Sequence, residues 1–203
     1  MRSHSTPTDS TTDFGAPSPP AIAGRSIVDG TRRRSGTALA GTGWNSSDPG
    51  RYGFDTLSRA VTNFLGLGGN VAAENKPFVT FVDAQGEQLD GASASYRLHL
   101  DRRPPGRDLW SLTLYDVRTG QVYDHPLRRY KIGTGVAGTG PSDDGSWTVT
   151  IQHEEPDDVW NWLPAPAGPF FLAIRTWRPD AEVLDGTWTP APVRRLEHAE
   201  AAR

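Results

Sequence analysis

Trp160-Asn161-Trp162-Leu163-Pro164-Ala165-Pro166-Ala167-Gly168-Pro169-Phe170-Phe171-Leu172-Ala173-Ile174-Arg175-Thr176-Trp177 is the stretch whose reading decides the fold. Pro164 and Pro166 each lock φ and push the preceding residue toward extended backbone, so Leu163 and Ala165 read as a rigid, non-helical approach. Gly168-Pro169 turns the chain. The run Phe170–Trp177 is almost wholly apolar or aromatic, which predicts a strand buried on both faces and central in its sheet. The corner and this strand are expected to join two β layers, with any pocket opening at the joint. Trp160, Asn161 and Trp162 carry two readings. Asn161 ties down loop backbone in a packed corner, or the three residues form a ligand-facing rim suited to a sugar or a flat apolar molecule.

Outward from that stretch, short strands recur. Phe78-Val79-Thr80-Phe81-Val82 is followed by the turn Asp83-Ala84-Gln85-Gly86. Tyr96, Leu98 and Leu100 alternate with Arg97 and His99, the mark of a half-buried strand. In Leu109–Asp116, Trp110, Leu112 and Leu114 share one face and Ser111, Thr113 and Tyr115 the other. Arg129–Ile132 and Trp147–His153 add two more strands, with Trp147, Val149 and Ile151 facing inward. One helix is expected, because Phe54, Leu57, Val61, Phe64 and Leu65 fall on a single helical stripe. Asp55 can cap its start, and Gly66 or Gly68 can end it. Many short strands and one short N-terminal amphipathic helix predict a mainly β protein, an antiparallel jelly-roll-like β-sandwich over residues 44–193. Residues 1–43 are rich in Ser, Thr, Pro and Gly and are expected to be a disordered arm, with 194–203 a C-terminal tail.

The chain has 203 residues, 35% hydrophobic and 22% charged, with a net charge of −3. That balance gives no electrostatic footprint for nucleic acid or an anionic membrane. Lys76 and Lys131 are the sole lysines among 21 basic residues, a coding preference for Arg. With no cysteine there is no disulfide and no thiolate chemistry. Met1–Pro20 lacks the apolar core of a secretory signal, and no run reaches membrane-spanning length, so a cytoplasmic protein is expected.

Histidine is scarce: His4, His99, His125, His153 and His198. None is spaced as a ligand pair, so neither a metal site nor any other cofactor is expected. His153 could act as acid or base if Glu154, Asp144 or Tyr130 lay within reach. The alternative is a strand-end histidine held by loop carbonyls. Asp144-Gly145-Ser146 reads most simply as a turn, and Asp116 as a turn-starting residue or half of a carboxylate pair. Arg175 interrupts an apolar strand, so it must be paired or must reach an anion. Asp116, Asp185 or a backbone carbonyl are its candidate partners, and a ligand carboxylate or sugar hydroxyl is the alternative.

Several motifs in one order carry a resemblance. They include Tyr52-Gly53, Arg59-Ala60, Gly66-Leu67-Gly68-Gly69-Asn70 and Leu89-Asp90-Gly91-Ala92 with Tyr96. Trp110–Asp116, Arg129-Tyr130, Asp144-Gly145-Ser146, Asn161–Pro166, Gly168-Pro169-Phe170, Arg175 and Trp188 follow. From Trp44 to Val193 the chain resembles the family called domain of unknown function 1214. The resemblance implies a mainly antiparallel jelly-roll-like sandwich and no reaction. In that family the domain often follows another, domain of unknown function 1254. Here a separate chain would have to supply that companion.

These readings support a small-molecule or carbohydrate ligand-binding or interaction module, with Trp110, Tyr130, Trp160, Asn161, Trp162 and Arg175 lining a shallow pocket. One alternative is an enzyme of hydrolase, lyase or isomerase type, using His153 with Asp144 or Asp116. Another is a structural subunit of an assembly, and homo-oligomers fit either case.

Overall fold

The computed structural model describes residues 36–66 and 69–196. Ten strands and two helices follow in order: β1 (Thr37–Ala38), β2 (Asn45–Ser46), α1 (Thr56–Gly66), β3 (Asn75–Thr80), β4 (Tyr96–Leu100), β5 (Trp110–Asp116), β6 (Lys131–Gly133), β7 (Trp147–Gln152), β8 (Trp162–Pro164), β9 (Phe170–Trp177), α2 (Ala181–Leu184) and β10 (Arg194–Arg195). They form a six-stranded sheet in the order β1-β2-β3-β9-β5-β6 and a four-stranded sheet in the order β10-β4-β7-β8. Every pairing is antiparallel except β7 with β8.

The Trp/Pro corner does join the layers. β8 lies in the four-stranded sheet, and after the Gly168-Pro169 turn β9 enters the middle of the six-stranded one. On its inner side β9 presents Phe170, Leu172, Ile174 and Thr176, all fully buried. Tyr96 meets Phe170 edge-on at 5.6 Å and Trp110 meets Trp147 at 4.8 Å, each pair spanning the two sheets. Aromatic pairs of this geometry add to the area they remove from water. The outer side of β9 is covered as well. Phe171 stacks between Phe81 and Tyr115, both at 4.9 Å, and the Arg175 guanidinium lies 5.6 Å from the Tyr115 ring centre. This is why the whole segment reads as apolar.

The ordered region is longer than the sequence indicates. Residues 1–35, including Arg32-Arg33-Arg34, lie outside the described residues, but 36–43 do not form a loose arm. Thr37 and Ala38 pair with Ser46 and Asn45, and Leu39 packs on the core. Trp44 is fully buried and donates its indole N–H to the Ala191 carbonyl at 2.8 Å. At the other end, 194–196 are not tail. Arg194 and Arg195 pair with Arg97 and Tyr96, and Leu196 N–H bonds the Ser95 carbonyl at 2.8 Å. Two-residue strands have no periodicity to betray them, and long-range pairing creates them.

Helix α1 starts where Asp55 caps it: the Ser58 N–H donates to Asp55 Oδ1 at 2.9 Å. The expected burial of its stripe fails at the near end, because Phe54 and Leu57 are 103% and 51% exposed. The helix closes at Gly66, one of its two expected stops; Gly68 and the side chains of Val61, Phe64 and Leu65 lie outside what is described.

Candidate functional site

At the corner the polar side chains of Asn161, Trp162 and Arg129 are engaged with backbone, while the buried Gln152 Oε1 has no partner among the described residues. Asn161 adopts a left-handed backbone (φ 53°), a conformation asparagine tolerates better than most residues. Its side-chain amide donates to the Gly140 carbonyl at 2.8 Å and its Oδ1 accepts the Gly140 N–H at 2.9 Å, copying a backbone pair. A Cβ at residue 140 would lie 2.8 Å from the Trp160 ring, so any other residue there would have to displace that half-exposed indole. Trp162 is 1% exposed and donates its indole N–H to the Gln152 carbonyl at 3.1 Å. Arg129 donates to the Val159 and Trp162 carbonyls at 2.7 and 3.1 Å. Trp160 is the exposed member of the trio, at 52%.

The residues expected to line one pocket therefore separate. Trp110 belongs to the inter-sheet core at 2% exposure, and Trp162 and Asn161 are internal to the corner. Half-buried Tyr130 gives its carbonyl to Leu114 N–H at 3.2 Å. Arg175 sits on the outer face of β9 and donates to the Tyr115 hydroxyl at 3.0 Å. The partner expected among Asp116, Asp185 and backbone carbonyls is thus a phenol one strand away. Of the two readings of Asn161, loop fastening is the one the geometry carries.

The acid–base candidates are likewise occupied. His153 Nδ1 lies 2.9 Å from the Ala165 carbonyl, which can only accept, so that nitrogen carries the proton. Its Nε2 is 3.9 Å from Glu154, a carboxylate 91% exposed. Asp144 accepts the Ser146 N–H at 2.9 Å, and the Ser146 hydroxyl followed by that N–H holds its carboxyl below the usual range. Its imidazole neighbour is His99, not His153. Asp116 accepts the N–H groups of Arg118 at 2.6 Å and Thr119 at 3.2 Å and pairs with the Arg118 guanidinium at 3.0 Å. Burial pushes its carboxyl up, but these donors outweigh burial and hold it below the ordinary value. These are the contacts of a turn. Among the described residues no group of three or more His, Asp or Glu side chains is gathered as metal ligands would be.

A cleft of about 860 Å³ opens elsewhere, between β4 and the segment 187–196. Arg97, His99 and Asp101 line one side, Arg194 and Arg195 another, and Trp188 with Thr189 the third. Four arginines face it against one aspartate. Arg102 is held by both carboxylate oxygens of Glu182 on α2, at 3.0 and 2.5 Å. Arg195 lies 3.4 Å from the buried Asp83 carboxylate and 5.9 Å from the Tyr96 ring centre. His99 lies 3.3 Å from Asp101 and bonds the Thr148 hydroxyl at 3.0 Å. Arg97 and Arg194 have no acid partner among the described residues, yet they face each other directly across β4 and β10. Sequence reading puts Arg97 on the outer face of its strand but misses this site. Arg194 reads as tail, and the register that sets it opposite Arg97 has no local signal.

A two-sheet, mainly β domain with these linked turns defines the class. The chain belongs to the family described as "Protein of unknown function (DUF1214)", whose model matches residues 74–181. It is similar to the solved structure of the VPA0106 protein from Vibrio parahaemolyticus, with 24% identity and a TM-score of 0.60 over 68% of this chain and 34% of that one. A second match is an uncharacterized protein from Burkholderia cenocepacia, 17% identical with a TM-score of 0.37, over 66% of this chain and 31% of that one. The chain thus spans about a third of the solved proteins it matches. No curated protein matches it. No helix among the described residues is long and apolar enough to cross a membrane.

Proposed function

We propose that this chain is a ligand-binding module whose seat is the cleft between β4 and residues 187–196. The observation that carries the reading is a contrast in polar groups. The cleft combines concave space of about 860 Å³ with two guanidiniums, of Arg97 and Arg194, that have no acid partner among the described residues, whereas Asn161, His153, Asp144 and Asp116 are engaged in holding turns. That volume falls within the usual range for small-molecule sites. The enzyme reading draws less support, since among the described residues His153 has no carboxylate closer than 3.9 Å. We also read the sandwich as jelly-roll-like, because the chain crosses between sheets from β3 to β4, β4 to β5, β6 to β7 and β8 to β9.

The test is a metabolite and glycan panel measured by calorimetry on the full chain. Thr189→Trp fills the cleft from an exposed rim position, and Trp160→Ala alters the corner. Expected is at least one ligand whose affinity falls about tenfold or more in Thr189→Trp and is unchanged in Trp160→Ala. Capture lost with Trp160→Ala alone, or conversion of a panel compound that disappears with His153→Ala, overturns the proposal.

A further inference from the structure

We infer that the cleft seats the oxyanion of a small organic molecule, a phosphate or carboxylate, between the Arg97 and Arg194 guanidiniums; this rests on the cleft reading above and adds the chemistry of the ligand. In the antiparallel pairing of β10 with β4, Arg194 stands directly opposite Arg97. Directly opposed side chains have Cβ atoms about 5 Å apart, and like charges placed so destabilise a sheet. Two of the other cleft arginines have internal partners, Arg102 in Glu182 and Arg195 in Asp83, and Asp101 lies 3.3 Å from the His99 imidazole. The opposed pair has no such partner among the described residues. Two guanidiniums carried on directly opposed positions can converge on one anion, and their planar donor forks match the oxygens of phosphate and carboxylate.

Charge at a sheet edge commonly deters pairing with another chain. That explanation covers Arg194 on the edge strand β10 but not Arg97, which lies inside the sheet with β10 on one side and β7 on the other. The cleft is also built rather than incidental. The Ala84 N–H bonds the Val193 carbonyl at 2.7 Å, Trp44 bonds Ala191, and Leu196 is 8% exposed, so the segment carrying Arg194 is fastened on both sides. Trp188 is held through its own N–H to the Glu182 carbonyl at 2.8 Å and meets Phe78 edge-on at 5.6 Å. It offers a fixed aromatic wall about which the organic body of the ligand can lie.

The experiment titrates the full chain by calorimetry at low salt with inorganic phosphate, glucose 6-phosphate, gluconate and glucose. Arg97→Gln, Arg194→Gln, Arg97→Lys and Thr189→Trp are compared with the wild type. Expected is binding of glucose 6-phosphate or gluconate at least about tenfold tighter than glucose, weakened tenfold or more by either Gln variant and partly kept by Arg97→Lys. Phosphate alone should bind more weakly than glucose 6-phosphate at the same residues. Stronger capture of gluconate assigns the head as carboxylate, and of glucose 6-phosphate as phosphate. Because Arg194→Gln also removes a like-charge contact, its melting temperature at low salt should rise by about 1–3 °C even as anion binding falls, and the rise should vanish in high salt. Ligands captured equally with and without a negative charge, and equally by the Gln variants, overturn this inference while leaving the cleft reading intact if Thr189→Trp still blocks them. Absence of any capture blocked by Thr189→Trp overturns both.

Discussion

The Trp/Pro corner and the β4/β10 cleft are both rich in aromatic and polar groups, and they differ in what those groups touch. At the corner the amide of Asn161, the indole of Trp162 and the guanidinium of Arg129 each spend their hydrogen bonds on backbone of the same loop set. In the cleft Arg97 and Arg194 occupy directly opposed positions on neighbouring strands and carry the same charge. A polar side chain bonded to backbone holds a fold together, whereas a solvent-facing charge with no acid partner is available to something else. The same rule separates two arginines: Arg175 has the Tyr115 ring and hydroxyl, and Arg97 has no acid partner among the described residues.

A series of substitutions separates the two regions. Trp162→Ala should have the largest effect, about 3–5 kcal/mol of lost stability in denaturant melts, because it empties a fully enclosed site at the corner. Asn161→Ala should cost about 2–4 kcal/mol, since it strands both backbone groups of Gly140 and puts alanine at a positive φ. Asn161→Gly, which suits that φ, should cost less. Neither should alter ligand capture by whatever fraction stays folded. Arg175→Met should cost about 1 kcal/mol, the worth of a hydrogen bond and an exposed cation–π contact, and should leave capture unchanged.

Asp116→Asn is smaller again at neutral pH and is best read by acid titration. The folded Asp116 carboxyl titrates below its unfolded value of about 3.9. Its contribution is therefore complete above that pH and is lost as pH falls through the folded value. Wild-type stability should drop in that acid window more steeply than that of Asp116→Asn. The smallest effect on stability belongs to Arg97→Gln, within about 0.5 kcal/mol, although it should have a large effect on capture. A substantial loss of stability in Arg97→Gln would move that arginine to the structural side of the comparison.

Much of the fold was legible because burial writes a period into the chain. β4 and β9 begin and end where alternation and apolar content place them, and the capping role of Asp55 follows from its position before the helix. The parts that were not legible depend on partners far away in sequence. β1 and β10 are two-residue strands with no internal pattern, and they exist because Asn45–Ser46 and Tyr96–Arg97 lie beside them. The site was less legible still. Trp160, Asn161 and Trp162 drew attention as aromatic and polar groups in one rigid stretch, a local signal that packing accounts for in Asn161 and Trp162 but not in the half-exposed Trp160. The Arg97–Arg194 opposition joins residues nearly a hundred positions apart and leaves no mark in either neighbourhood.

The most direct test of the contrast is an indole N–H spectrum of the full chain, whose seven tryptophans report both regions at once. On addition of glucose 6-phosphate the account predicts that the Trp188 signal shifts while those of Trp160 and Trp162 stay in place. Movement of Trp160 and Trp162 with Trp188 unchanged would contradict it and return the binding surface to the corner.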